Sequence, residues 1–318
     1  MRLWQKSMIF MARNRSVKTF MQSRAALSGL SARFIGGSGV PEAAAKAAGL
    51  WSNGYASSLF YLGEYVEDLK IIAQTMAELK SMVRRLADSQ LDLHISVDPT
   101  QIGFQLDAGI CRRHAFDLAN EIKKNSGRTR PRAKHLLMLD MEDATTTQAT
   151  LDLYERLTTA SLPSAVTLQA YLHRTVSDLR HIIDQGGAVR LVKGAFAENR
   201  HIAFTRRSEI DRNYLKLARM MLSEKAQQTG FFPIFGTHDE RLIDKILATA
   251  RHRKWNRKDF EFEMLYGVRR QYQAKLLQAG VQLRLYLPFG TDWWPYSIRR
   301  VGESFKNASF LVRSVFGN

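Results

Sequence analysis

Eight short apolar runs rich in β-formers, separated by longer amphipathic segments, leave few folds open to this chain. The runs read YASSLFYLGE (55–64), LDLHISVD (91–98), HLLMLD (135–140), SAVTLQAY (164–171), AVRLVKG (188–194), FFPIFGTH (231–238), FEFEML (260–265) and VQLRLYLP (281–288). Between them, segments 68–88, 105–124, 147–160, 175–185, 209–228, 239–252 and 269–279 place apolar residues at helical spacing. A nearly continuous apolar strand is buried on both faces, and a strand followed by a covering helix pairs in parallel with the next strand. Eight such units predict an α/β fold, a (β/α)8 barrel.

With 318 residues the chain can bury a large core. Residues 1–49 are set apart as an N-terminal basic helical segment, and 50–318 as the barrel. The first 35 residues hold seven Arg or Lys and no acid, with Trp4, Met8 and Met11 at helical spacing. Such a segment suits a basic amphipathic helix on an anionic membrane surface, an organelle transit peptide, or a helix packed on its own domain. No run approaches the ~18 apolar residues of a spanning helix. The stretch FIGGSGVPEAAAKAAG (34–49) lacks a full Gly-x-Gly-x-x-Gly pattern and a preceding strand; it reads as a linker with a helix starting near Pro41. The single cysteine, Cys111, excludes a disulfide framework and a multi-cysteine metal site, and it reads as a buried thiol in a reducing compartment.

In a barrel of this kind the chemistry gathers where the strands end and the βα loops share one mouth. The strand ends here carry Glu64, Asp98, Asp140, Gln169, Arg190 with Lys193, Thr237 with His238, Glu263 and Tyr286. Burying so many polar groups is costly unless they meet partners or a ligand. They form no Ser-His-Asp arrangement and no metal-ligand spacing; they offer donors and cations instead, suited to a polyanionic cofactor and a small carboxylate substrate. Beyond the eighth strand, in WWPYSIRRVGE, a helix expected to start at Pro295 carries Arg299 and Arg300. Adjacent helical residues point about 100° apart, so one exposed ion pair does not explain both. Converging on a carboxylate does, with Glu303 at i+4 steadying Arg299.

The strings YLGE, LDMED with TLDLYE, LQAYLHRT, VRLVKGAF, THDERLI, FEFEMLYGVRR and RLYLPFG…WWPYSIRRVGE resemble the proline dehydrogenase family, in order, from about residue 50 to 304. The resemblance implies a distorted barrel preceded by N-terminal helices, with a C-terminal helix over the mouth. It also implies FAD held non-covalently, and oxidation of L-proline to Δ1-pyrroline-5-carboxylate by hydride transfer to flavin N5, with electrons passing to a membrane quinone. On that basis Arg299 and Arg300 grip the substrate carboxylate, Tyr286 and Tyr296 pack on the substrate, Leu265 lines the pocket and Asp140 supports its polar network. Gln169 and Arg190 hydrogen-bond the flavin ring, and Lys193, Gly194, Thr237 and His238 serve the rest of the cofactor. The expected location is cytoplasmic, at the inner face of a membrane, or mitochondrial in a eukaryote.

Three positions depart from the family pattern: Asp98 stands where a lysine is usual, Phe196 replaces a tyrosine and Glu263 a glutamine. Asp98 joins Glu64 as a second carboxylate at the mouth, which points to a proline analogue or another secondary amino acid as an alternative substrate. A non-catalytic family member is a further alternative. The net charge of +17 and the run RHRKWNRK (251–258) raise nucleic-acid binding. No recognised RNA or DNA module accompanies them, so the run reads as a solvated loop and no nucleic-acid partner is expected.

Overall fold

The computed structural model of the protein describes residues 33–63, 66–294 and 296–297. Eight parallel strands close into a barrel in sequence order: β1 (Ala56–Tyr61), β2 (His94–Val97), β3 (Leu136–Leu139), β4 (Ser164–Gln169), β5 (Ala188–Val192), β6 (Phe232–Gly236), β7 (Glu261–Leu265) and β8 (Leu283–Phe289), which returns to pair with β1. Seven strands lie inside the runs expected from the sequence; β8 extends one residue further, to Phe289. The runs exceed the strands because Asp98, Asp140, Thr237 and their neighbours belong to the loops at the mouth.

The helices are α1 (Val40–Ser52), α2 (Leu69–Asp88), α3 (Ala108–Ser126), α4 (Thr147–Thr159), α5 (Thr175–Asp184), α6 (Arg207–Met221), α7 (Glu224–Thr229), α8 (Glu240–His252) and α9 (Arg270–Gln278). Carboxylates start three of them: Asp68, Asp107 and Asp239 accept hydrogen bonds from the backbone N–H groups of Lys70, Ile110 and Arg241. The segment 209–228, expected as one helix, is two. The chain breaks after Met221, and the hydroxyl of Ser223 caps α7 by accepting from Ala226 N at 3.2 Å. Burial of Leu222 and Ala226 carries the apolar period across the break, which is why the pattern hid it. The helix expected to begin at Pro295 has already begun, since Trp293 and Trp294 are helical along with Tyr296 and Ser297.

Helix α1 runs through residue 49 and buries Val40, Ala43, Ala44 and Ala47, so residues 40–49 are part of the barrel's packing. Ahead of it, residues 33–37 are strapped to the mouth end of β8: Gly36 N–H donates to Pro288 O at 2.7 Å, and Gly290 N–H to Gly37 O at 2.9 Å. Gly267, at φ +79°, lies so close beneath the strap that a Cβ there would strike the carbonyl of Arg33.

Alternation along the strands sorts the side chains into two cores. Leu137, Leu139, Val166, Val189, Leu191 and Phe235 face outward and join the helices. Leu136, Met138, Ala165, Ala188, Phe232 and Ile234 face inward and fill the barrel on the β3–β6 side. The opposite side of the interior is polar, and the site grows from it.

Candidate active site

Two buried guanidinium groups organise that polar interior. Nearer the base, Arg284 of β8 is fully buried: Nε donates to Glu261 Oε1 at 2.7 Å, Nη2 to Glu261 Oε2 at 3.1 Å and to Asp92 Oδ2 at 2.9 Å, and Nη1 to Ser57 O at 2.9 Å. Higher up, Arg190 of β5 is flanked by carboxylates from both sides. Its Nη1 donates to Glu263 Oε1 at 2.7 Å, its Nη2 pairs with Asp140 Oδ1, and its Nε donates to Thr167 Oγ1 at 3.1 Å. Buried charges of this kind persist only when paired and hydrogen-bonded, and each guanidinium has two carboxylates.

Tyr286 of β8 covers Arg190. Its hydroxyl donates to Asp140 Oδ2 at 2.9 Å, its ring centroid lies 5.4 Å from that of Phe60, and the Arg190 guanidinium lies 5.4 Å from the ring centre. Burial first, then the Asp98 carboxylate, push the Tyr286 phenol well above the ordinary tyrosine range, with Arg190 pulling the other way and Tyr296 and Glu263 adding to the rise. The structure thus gathers Asp98, Asp140, Arg190, Glu263, Tyr286 and the buried Tyr296 around one point at the mouth. The loop bearing Asp98 is fixed to the next one, since Thr100 donates through its N–H (3.0 Å) and hydroxyl (2.6 Å) to the buried carboxylate of Glu142.

The rim formed by β4, β5 and β6 holds the other expected residues on consecutive strands. Gln169 ends β4 and donates from Nε2 to Glu142 O at 2.6 Å. Lys193, just past β5, sits between Asp211 at 2.5 Å and Asp239 at 3.0 Å. Gly194 follows at φ +104°, with its α-carbon against the ring of Tyr171, where a side chain would not fit. Thr237 Oγ1 accepts from Asp239 N at 3.1 Å. His238 Nε2 accepts from Leu265 N at 3.2 Å, which puts the ring proton on Nδ1, and Leu265 O accepts from Gln273.

Arg190, Glu263 and Tyr286 are not strand-end residues, as the sequence suggested; they lie within β5, β7 and β8 and reach the mouth along the barrel axis. Phe196 stands in the loop after β5, 37% exposed. Glu64, Arg299, Arg300 and Glu303 lie outside the described residues, as does the basic segment 1–32. Sequence reading passed over His94, Ser96, Thr167, Glu142 and the Arg284 cluster. The signal was present in the pairs His94/Ser96, Glu261/Glu263 and Arg284/Tyr286, whose two-residue spacing puts both members on one face of a strand. His94, Glu261 and Glu263 bring potential ligand atoms within 4.8 Å of one another, but both carboxylates are already held by guanidinium groups.

Comparison with known proteins agrees with this geometry. The sequence profile of the family described as Proline dehydrogenase matches residues 43–313. Proline dehydrogenase 2 of Bacillus subtilis is 32% identical over 264 residues, covering 83% of each chain. Proline dehydrogenase of Deinococcus radiodurans is 28% identical over 318 residues, 98% of each. Among solved structures, proline utilization A (PutA) from Bdellovibrio bacteriovorus, inactivated by N-propargylglycine, superposes on 98% of the chain with a TM-score of 0.77 and 18% identity, the match spanning 39% of the PutA chain. The barrel, the buried arginine beneath a tyrosine at its mouth and the profile match across most of the sequence agree: the chain belongs to the proline dehydrogenase family of oxidoreductases.

Proposed function

We propose that the protein is an FAD-dependent dehydrogenase that oxidises L-proline, or a close analogue, to Δ1-pyrroline-5-carboxylate and passes the electrons to a quinone. The observation that carries this reading is the Arg190 guanidinium, clamped by Asp140 and Glu263 beneath Tyr286. It is a guanidinium held in one position in a buried, polar mouth, in a chain of this family. The neighbouring rim fits a flavin nucleotide. Gln169, Arg190, Lys193, Thr237 and His238 supply donors and cations from three adjacent strands, and Gly194 lets the loop after β5 pass against the Tyr171 ring. When bound, FAD supplies the two-electron acceptor that the protein itself lacks. The protein's part is positional: Gln169 and Arg190 hold the ring, Lys193 balances phosphate charge, Asp140 fixes the Tyr286 hydroxyl, and Tyr286, Tyr296 and Leu265 shape the amino-acid pocket. Arg299 and Arg300 are assigned to the substrate carboxylate from the sequence.

A second reading, a substrate with an additional cationic group, is favoured by the Asp98 carboxylate beside Tyr286. One experiment separates these readings from a non-catalytic barrel. The purified protein is tested for a flavin spectrum and for anaerobic bleaching by L-proline and a panel of cyclic and N-modified secondary amino acids. Bleaching by proline supports the first reading and bleaching only by a cationic analogue the second; a colourless protein that takes up no FAD overturns both. The basic N-terminal residues are assigned to an anionic membrane surface, each contributing roughly 1 kcal/mol. Removal of residues 1–30 is expected to lower liposome binding and to spare turnover with a soluble dye; equal binding of both forms would sink this assignment.

A further inference from the structure

A chain of hydrogen bonds crosses the barrel interior beneath the mouth. Arg190 Nη1 donates to Ser96 Oγ at 3.4 Å, Ser96 and Ser58 share a hydrogen bond at 2.8 Å, and Ser58 Oγ lies 2.9 Å from Nδ1 of His94. A guanidinium only donates. Ser96 therefore accepts from Arg190, and in one of the two directions open to the hydroxyls it gives its proton to Ser58, which gives its own to Nδ1. His94 is fully buried, and burial, with the charges of Arg284 and Arg190, keeps the imidazole neutral by holding its pKa well below 6.5. A neutral imidazole that accepts at Nδ1 carries its hydrogen on Nε2.

Two buried atoms at this level, His94 Nε2 and Glu263 Oε2, have no hydrogen-bond partner among the described residues. A ring nitrogen of His94 and a carboxylate oxygen of Glu263 lie within 4.8 Å of each other, a gap closed by a small rotation or one bridging water. Glu261, also within that distance, already has both oxygens on Arg284.

We propose that His94 is a positioning residue whose Nε2–H donates to Glu263 Oε2, closing a ring of hydrogen bonds through Arg190, Ser96, Ser58, His94 and Glu263. The ring gives both oxygens of Glu263 a donor and holds the carboxylate in place, its other oxygen on Arg190. Without the imidazole, the exposed lone pair of a buried carboxylate is most cheaply satisfied by taking up a proton. The Arg190 site then becomes one unit more positive, which favours the reduced form of a flavin bound above it; this last consequence rests on the function proposed above.

The test has two arms. In full-length protein with 15N-labelled histidine, two-bond 15N–1H correlation, assigned by the loss of one pattern in His94→Gln, is expected to show a neutral Nε2–H tautomer. An Nδ1–H tautomer, an imidazolium, or one bound metal ion per chain that His94→Gln releases would overturn the proposal. In the flavin-loaded protein, His94→Phe is expected to favour the reduced flavin at least tenfold at a fixed potential, about 30 mV for a two-electron couple. His94→Gln, which keeps a donor, should stay near the parent value, and adding Glu263→Gln to His94→Phe should produce no further shift. An unchanged potential in His94→Phe would also overturn it. A protein that binds no flavin defeats the proposed function, while the tautomer measurement still decides the ring.

Discussion

The Tyr286 hydroxyl, on β8, donates to Asp140 Oδ2 at 2.9 Å, while the other oxygen of Asp140, past the end of β3, pairs with Arg190 of β5. One carboxylate thus ties three separated strands at the mouth. In Tyr286→Phe the ring can stay on Phe60 and Asp140 keeps Arg190, so the loss in folding stability is expected to be about 0.5–1.5 kcal/mol. The functional loss is expected to be larger, about tenfold in kcat/KM for the amino-acid substrate, because Asp140 loses the donor that orients it and the pocket loses a hydroxyl. Thermal unfolding and steady-state kinetics on the same preparation check both parts; an unchanged kcat/KM would contradict the role given to Tyr286.

Arg284 plays a structural role near the base of the barrel. Replacing it by Met leaves Asp92 and Glu261 as buried carboxylates without their shared cation, and removing one partner of such a cluster costs about 3–5 kcal/mol. Arg284→Met is therefore expected to unfold well before the parent in urea. The triple variant Arg284→Met, Asp92→Leu, Glu261→Leu is expected to recover most of that loss, because desolvated charge disappears together with the pairing. A triple variant less stable than Arg284→Met would mean that packing, rather than charge, dominates there.

Acid should loosen the fold before ordinary carboxylates titrate. Burial depresses the imidazole pKa of both His94 and His135. As pH falls through about 6.5 the unfolded chain binds protons that the folded chain refuses. Their stabilisation is complete above that value and is lost below it, by up to roughly 1.4 kcal/mol per pH unit for each histidine. Glu261, displaced upward chiefly by burial, opposes this slope as pH falls toward the carboxylate range. Urea midpoints measured from pH 8 to pH 5 should decline, and less steeply in His94→Gln. A flat profile in the parent would refute the assignment.

The barrel was legible because nothing in its outer core competes with the pattern. Each β strand alternates between helix-facing and lumen-facing residues, and both are apolar along β3 and most of β4 to β6. Where the lumen is polar, as at His94, Ser96, Glu261 and Arg284, the same alternation was present, but these residues were passed over inside runs read as apolar. Partners in the lumen come from strands far apart in sequence; Arg284 lies 192 residues from Asp92, and no local spacing announces such a pair. The break at Ser223 was hidden for the opposite reason, because burial there continues the helical period without helical hydrogen bonds. Asp140, Arg190 and Tyr286 were found as polar residues near strand ends and given roles by motif resemblance, whereas their shared geometry emerged only from the closed sheet.

The strap at residues 33–37 has a consequence for whatever precedes it. Gly36 and Gly37 are bonded to the mouth end of β8 and its loop, so the described chain starts at the mouth-side rim of the barrel, not at its base. A tether rooted there raises the effective concentration of anything it captures beside the entrance, to the millimolar scale for a short flexible segment. An anionic surface, a fused domain or an immobilising tag held by this end would sit at the doorway, and its length would set how closely it crowds or feeds the site.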